Sequence, residues 1–344
     1  NKARKQIASI INADPAEILI TSGGTESNNT AVNGITSQFP NSHIITTSIE
    51  HDAILEPCKK LSSNAFKVDY LPVDKFGMIN PLDLENIISE KTSLVSVMFG
   101  NNEVGTIQPI QKIAKICHKN QIIFHTDAVQ VVGKITVDVK ELDIDLLSIS
   151  SHKLHGPKGI GALYIKDGVK INPMILGGGQ EFRLRSGTEN VANIVGFGQA
   201  CEIAQNHLTE NSSCIKKLQS KLVKKVLAEI PEVTFNGHEE YRLYNNAHFT
   251  FLGVNGEDLI IKLDEYGIAA STGSACSVNT QKASHVLQAM GFSLEQITGS
   301  LRLTVGIFNT ENEIDETVEI LKKVIEELRA VSPFKEKYSF ESKN

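Results

Sequence analysis

The sequence has no apolar run approaching the ~18 residues of a membrane-spanning helix. Nothing at its start resembles a signal peptide, so no membrane partner is expected. It has no basic excess: 34 Lys and Arg against 40 Asp and Glu give a net charge of −6. Direct binding to nucleic acid or to an anionic membrane is therefore not expected. It has no Cys-x-x-Cys pair. Its five cysteines, Cys58, Cys117, Cys201, Cys214 and Cys276, are dispersed and odd in number, which argues against a disulfide scaffold or a structural zinc site. A reducing cytoplasm is the expected compartment. Internal repeats and low-complexity tracts are also missing.

What is present is ordinary for a globular chain: 344 residues, 41% hydrophobic and 22% charged. That length suggests two domains. Strand-like runs (Ile18 to Ile20, Ile44-Ile45, Val68 to Leu71, Leu94 to Phe99, Ile122 to Phe124, Ile144 to Ile149, Ala162 to Ile165) alternate with helix-like runs. The helical runs are Thr25 to Ile35, Asp52 to Leu61, Pro81 to Ile88 and Pro109 to His118. Such alternation predicts an α/β fold with a mostly parallel sheet covered on both faces. After Gly187 the pattern changes. A helical stretch runs from Val191 to Ile230, with a break expected near Leu208 to Ser213. Short strands follow, then an amphipathic final helix opened by the capping box Thr310-x-x-Glu313. The expected domains are residues 1–205, 206–332 in a smaller α+β domain, and a polar tail, 333–344.

Candidate chemistry gathers where strands end, the place where open α/β sheets bind ligands. Thr21-Ser22-Gly23-Gly24-Thr25-Glu26 follows a strand and opens a helix. Its glycines and free amides suit an anion, although no Gly-Lys-Ser/Thr phosphate loop follows. A plain junction capped by Thr25 is the bland alternative. His51 sits past the second strand, where an imidazole can stack on a flat ring or move protons. Asn102 follows a further strand. Asp127 ends another, where it can pair with a protonated pyridine nitrogen or simply cap a helix. Gln130 is three residues on.

Ser150-Ser151-His152-Lys153-Leu154-His155-Gly156-Pro157-Lys158-Gly159 follows the apolar run 144–149. It places an amine beside hydroxyl and imidazole groups, the layout of a lysine that forms a Schiff base with pyridoxal phosphate (PLP). Alone, Lys153 reads as a solvated surface lysine. Gly177 to Thr188 is a glycine- and arginine-bearing loop, suited to anions or to a hinge. Cys276, in Gly273-Ser274-Ala275-Cys276, is the one cysteine expected in a mobile small-residue loop, where a thiol can act as a nucleophile. Arg302, inside a strand, can clamp a carboxylate or form a structural ion pair.

Taken in order, these motifs resemble the cysteine desulfurases, PLP enzymes of the class V aminotransferase group with the aspartate aminotransferase type of fold (fold type I). The most specific pieces are Thr-Ser-Gly-Gly-Thr-Glu-Ser-Asn-Asn, Ser-x-His-Lys-x-x-Gly-Pro-Lys-Gly and Gly-Ser-Ala-Cys. The residues around Cys276 and Ser284-His285-Val286-Leu287 resemble the branch serving iron–sulfur cluster assembly and tRNA thiolation. The resemblance implies conversion of L-cysteine to L-alanine, with the sulfur taken by Cys276 as a persulfide. It implies Lys153 as the Schiff-base and proton-transfer residue, Asp127 on the pyridine nitrogen and Gln130 on the ring hydroxyl. His51 would stack and serve in acid–base steps, and Thr25, Ser150 and His152 would bind phosphate. Thr188 would reach the phosphate of a second subunit in a homodimer. Asn102 and Arg302 would orient the cofactor-bound substrate.

An iron–sulfur scaffold protein or a tRNA-thiolation acceptor would take the sulfur. Selenocysteine lyase, another class V PLP enzyme and an inactive PLP-binding paralogue stay open as alternatives. Family members begin several dozen residues earlier, with an Asp-Asn-Ala-type motif. They usually carry Gly at position 151, Arg-Gly where this chain has Phe182-Arg183, and often Arg at position 307, which is Ile here.

Overall fold

Runs of β-branched and aliphatic residues become strands that bury both faces. The computed structural model describes residues 1–273, 283–332 and 338; Cys276 lies outside the described residues. The strands are β1 (Ile18–Thr21), β2 (His43–Thr47), β3 (Lys67–Leu71), β4 (Thr92–Ser96), β5 (Ile123–Asp127), β6 (Leu146–Ser150), β7 (Gly161–Ile165), β8 (Val233–Asn236), β9 (Asn246–Phe251) and β10 (Ser300–Thr304). Two compact units result. One comprises Asn1–Val73, Ile79–Gly100 and Gln108–Thr209; the other comprises Asp74–Met78, Asn101–Ile107 and the described residues of Glu210–Asn344.

The first unit holds a seven-stranded sheet in the order β1-β7-β6-β5-β4-β2-β3. β3, β2, β4, β5 and β6 pair in parallel, while β7 runs antiparallel to both β6 and β1. Every residue of β1, β2, β6 and β7 is buried, as expected of strands covered by helices on both faces. One core layer joins Ala31, Val32 and Ile35 of the helix Gly24–Thr36 to Leu19, Ile44, Leu94, Leu146 and Leu163 of the sheet. Cys58 belongs to this layer, and Cys117 and Cys201 are buried as well. Burial pushes the Cys58 and Cys201 thiols up to about 12, which makes them inert packing groups.

Gly161 shows how the sheet shapes the site. It pairs with Thr21 on one side and Ser150 on the other, so the C-terminal ends of β1 and β6 lie level. A Cβ at Gly161 would sit 2.5 Å from the Ile149 carbonyl oxygen and 2.7 Å from the Gly23 Cα. Only glycine lets the turn after β1 come this close to the sheet.

The second unit holds the antiparallel sheet β10-β9-β8. Phe249, Phe251, Leu301 and Leu303 pack with Leu218, Leu222, Val226, Val318, Leu321 and Ile325 from the helices Leu208–Glu229 and Glu311–Val331. The capping box at Thr310 and Glu313 forms as the sequence predicts.

The helical stretch after Val191 breaks earlier than expected, at His207 (φ −105°, ψ 8°), between Val191–Asn206 and Leu208–Glu229. Ser212 and Ser213 stay helical because Ile215, Leu218, Leu222 and Val226 bury one stripe of that helix. Tertiary packing there outweighs the weak helix propensity of serine. Two short helices, His285–Ala289 and Leu294–Thr298, fall where the sequence reading had assigned nothing. Among the described residues, no helix is long and apolar enough to cross a membrane.

Candidate active site

The first unit brings Thr25, His51, Asp127, Gln130, Ser150, His152 and Lys153 to the C-terminal ends of its strands or the turns that follow. Gly23, not Thr25, caps the helix Gly24–Thr36. Its φ of +152° and the 3.9 Å from its would-be Cβ to Ser150 Oγ set the turn against β6. At Gly24 a Cβ would lie 2.7 Å from Val129 Cγ2. Thr25 is thereby left exposed in the first helical turn, among amides with no intrahelical partner. Ser150 Oγ and His152 Nδ1 are 2.9 Å apart. Burial, then the charges of Lys153 and Lys158, hold His152 below the usual histidine range. A neutral imidazole beside a hydroxyl at a helix start suits a phosphate ester.

Asp127, the last residue of β5, is 7% exposed. It caps no helix; its Oδ1 accepts the Val129 N–H at 2.9 Å within a turn. Its Oδ2 accepts the Asn28 side-chain amide at 2.6 Å. Burial pushes this carboxyl up, against the pull of those two hydrogen bonds and of the Lys153 charge. A desolvated carboxyl of this kind gains most from a cationic partner, such as a protonated ring nitrogen.

Asn28 was not singled out by sequence reasoning. The signal was there: Asn28, Ala31, Val32 and Ile35 share one buried helical stripe, and a carboxamide on an apolar stripe needs a polar partner.

His51 is the N-cap of the helix Asp52–Ser62, its Nδ1 accepting the Ala53 N–H at 3.0 Å. This bond assigns the proton of a neutral ring to Nε2. Glu50 precedes it, fully buried, accepting from Thr47 Oγ1 at 2.7 Å and from the Met98 N–H at 2.8 Å. Burial pushes the Glu50 carboxyl up to about 8.

Lys153 stands exposed on the short 3-10 turn Ser151–Leu154 directly after β6. Its charge is felt at Asp127, His152 and Lys134. Lys134 donates to the Gln130 carbonyl oxygen at 2.6 Å, and burial followed by the Lys153 charge lowers its amine to about 8. Gln130 is half-buried.

The loop bearing Thr188 is tied to the phosphate-side helix through Arg185. That guanidinium meets Glu26 at 2.9 and 3.3 Å. Burial alone would raise Glu26, but Arg185 and the Ser22 hydrogen bonds bring it below the usual carboxylate range. Thr188 itself is exposed.

The same loop turns left-handed at Glu181, Phe182 and Arg183 (φ 44°, 59° and 65°). Arg183 thus adopts a conformation that glycine takes without steric penalty, at about 1 kcal/mol or more for an L-residue. Glu181 anchors the turn through Arg4 at 2.6 Å and the Ile20 N–H at 2.8 Å.

Asn102 and Arg302 belong to the second unit. Arg302, on β10, donates to the Asn102 carbonyl oxygen at 2.8 Å, so these two residues do meet. Cys276 lies outside the described residues.

Comparison with known proteins shows the family. Residues 1–317 match the family model for aminotransferase class V. The cysteine desulfurase IscS of Methanosarcina thermophila is 49% identical over 335 residues, covering 97% of this chain and 83% of that protein. The chain belongs to the cysteine desulfurases of the class V aminotransferase family. Among solved structures, a NifS-like protein is similar with a TM-score of 0.88 and 40% identity, over 94% of this chain and 86% of that one. A structure of SspA in complex with cysteine has a TM-score of 0.78 and 36% identity, over 90% and 87% of the two chains. The fold is therefore fold type I of PLP-dependent enzymes, and the cofactor of this family is PLP. The residues present fit that group: a glycine-lined helix start for its phosphate, a buried carboxyl for its ring nitrogen and an amine after the neighbouring strand.

Proposed function

We propose that this desulfurase converts L-cysteine to L-alanine and passes the sulfur on as a Cys276 persulfide. The observation that carries the site assignment is the buried Asp127 carboxyl, raised by desolvation and held by Asn28, next to the Lys153 amine. Bound PLP supplies an electron sink for the substrate carbon. Asp127 keeps the ring nitrogen protonated, and Gln130 binds the ring hydroxyl. Thr25, Ser150 and His152 hold the phosphate. His51 would stack on the ring and would act in acid–base steps through Nε2.

Lys153 would hold the cofactor through its amine and would move protons at the substrate carbon. Arg302 takes the substrate carboxylate, with Asn102 beside it. The Cys276 thiolate attacks the substrate sulfur. A sulfur–sulfur bond forms as the carbon–sulfur bond breaks, and the electron pair of that bond passes to the carbon side, which is protonated to alanine. Thr188, exposed on its loop, reaches the phosphate of a second subunit. Val191 and Val195 are exposed on the helix that follows, an apolar surface consistent with a homodimer.

Within this scheme residues 1–205 bind PLP and residues 206–332 form the smaller domain. The acceptor is an iron–sulfur scaffold protein or a tRNA-thiolation protein, in the cytoplasm. The test is direct. Purified protein with PLP is given L-cysteine, and alanine and sulfide are quantified with a reductant present. Equal amounts of both are expected, with loss of turnover by at least about 1000-fold in Lys153→Ala. Undiminished turnover in that variant contradicts the assignment.

A further inference from the structure

The Asn101–Ile107 segment does more than present Asn102. Asn101 is buried and its side-chain oxygen accepts the N–H groups of Glu103 and Val104, both at 2.9 Å. This local turn sends the Glu103 side chain into the second unit, where the residue is 1% exposed. The Glu103 carbonyl oxygen accepts the Asn246 side-chain amide at 2.7 Å, fixing its backbone to the end of β9. The carboxylate meets two places far apart in sequence. Ser284 Oγ donates to Glu103 Oε2 at 2.6 Å. A Cβ at Gly273 would lie 3.2 Å from that same oxygen and 3.9 Å from Ser284 Cβ. Gly273 and Ser284 therefore stand side by side at one carboxylate, and glycine allows the approach.

Each of the two places is itself tied down. On the Gly273 side, Ser271 exchanges backbone hydrogen bonds with Arg302, and Ser300 Oγ holds the Thr272 carbonyl at 3.0 Å. On the other side, Ser284 caps the helix His285–Ala289 by accepting the Leu287 N–H at 3.1 Å. The chain between Gly273 and Ser284 includes Cys276.

We infer that Glu103 is a positioning residue for sulfur transfer: its carboxylate, hydrogen-bonded to Ser284 and set against Gly273, holds together the two described ends of the segment that carries Cys276. The inference rests on the reading of Cys276 as the sulfur acceptor. A thiol that must reach a sulfur atom along a defined line is sensitive to its anchor, since a displacement of about 1 Å can slow a reaction by about 100-fold. A hydrogen bond to a side chain buried from water, as Glu103 is, has little solvent competing for it. Asn102 and Glu103 are adjacent, so one turn serves both substrate orientation and the anchor.

The experiment compares PLP-loaded wild-type protein with Glu103→Ala and Glu103→Gln. Three quantities are read: the single-turnover rate of persulfide formation on Cys276, the apparent affinity for L-cysteine from the visible absorbance change, and hydrogen exchange over residues 283–289. Glu103→Ala is expected to slow persulfide formation about tenfold or more and to speed exchange over 283–289. Its cysteine affinity should stay within about twofold, because the alanine variant leaves Arg302 and Asn102 in place. Glu103→Gln keeps an oxygen toward Ser284 and should recover most of the rate.

An unchanged persulfide rate in Glu103→Ala overturns the inference, as does equal impairment in both variants. If the wild type forms no persulfide on Cys276, the sulfur-transfer role is overturned, while faster exchange in Glu103→Ala still establishes the anchor. Should Glu103→Ala not fold, Glu103→Asp withdraws the carboxylate from Ser284 by one methylene, leaves the Ser284 cap in place and carries the same expectations.

Discussion

Two buried carboxyls, Asp127 and Glu50, are both pushed up by burial and differ in what opposes it. At Asp127 the Val129 N–H, the Asn28 carboxamide and the Lys153 charge pull against burial. Glu50 also has hydrogen bonds, from Met98 and Thr47, but burial dominates and the nearby Asp127 charge adds to it, pushing it up to about 8. Glu50 thus keeps its proton in the folded protein while the unfolded chain releases it near the ordinary glutamate value. The folded state holds this proton more tightly, so the contribution of Glu50 to stability is lost as pH rises from about 4.5 to about 8 and then levels off. Glu50→Gln keeps the shape and the acceptor oxygen. It should match the wild type near pH 4.5 and be more stable at pH 8 by on the order of 1–4 kcal/mol, as read from denaturant unfolding at both values. Identical pH profiles would contradict this picture.

Asn28 gives a second residue-scale expectation. Asn28→Ala leaves Asp127 Oδ2 without its 2.6 Å donor and should weaken PLP retention about tenfold, a loss on the order of 1.5 kcal/mol, measured by cofactor release on dialysis. Asn28 appeared in the sequence only as part of a motif. Its partner is 99 residues away, and no local pattern announces such a pair.

At the scale of elements, strands fully buried on both faces were legible where they read as unbroken apolar runs; β7 is an example. Helix starts with capping boxes were legible for the same local reason. The 3-10 turn carrying Lys153 and the helices His285–Ala289 and Leu294–Thr298 were not. Short helices carry too few turns for an apolar period to register, although Ser293 and Gln296 do form a capping box. Gly161 tests how closely the β1 turn must approach β6. Gly161→Ala places a Cβ within 2.7 Å of two backbone atoms, and backbone cannot swing aside as a side chain can. A destabilisation of about 1–3 kcal/mol is expected, together with weaker PLP binding, since Gly23 is displaced. Alanine at Gly159, where nothing lies within 4 Å but φ is +77°, controls for backbone strain alone and should leave PLP affinity unchanged.

For the whole molecule, the residues proposed for the chemistry belong to both compact units. The first carries Lys153, Asp127, His51 and the phosphate-side groups, and the second carries Asn102 and Arg302. That the short segments Asp74–Met78 and Asn101–Ile107 join the second unit left no mark in composition or period, because the contacts that place them are long-range. Cys276 sits among small residues whose chemistry is legible only from type and neighbourhood. The most direct measurement is to incubate the PLP-loaded protein with L-cysteine and map added sulfur by mass spectrometry. One sulfur atom on Cys276, formed together with alanine and absent in Lys153→Ala, is the expected result. Alanine formed with no sulfur on Cys276, or sulfur carried instead by the exposed Cys214, would contradict it.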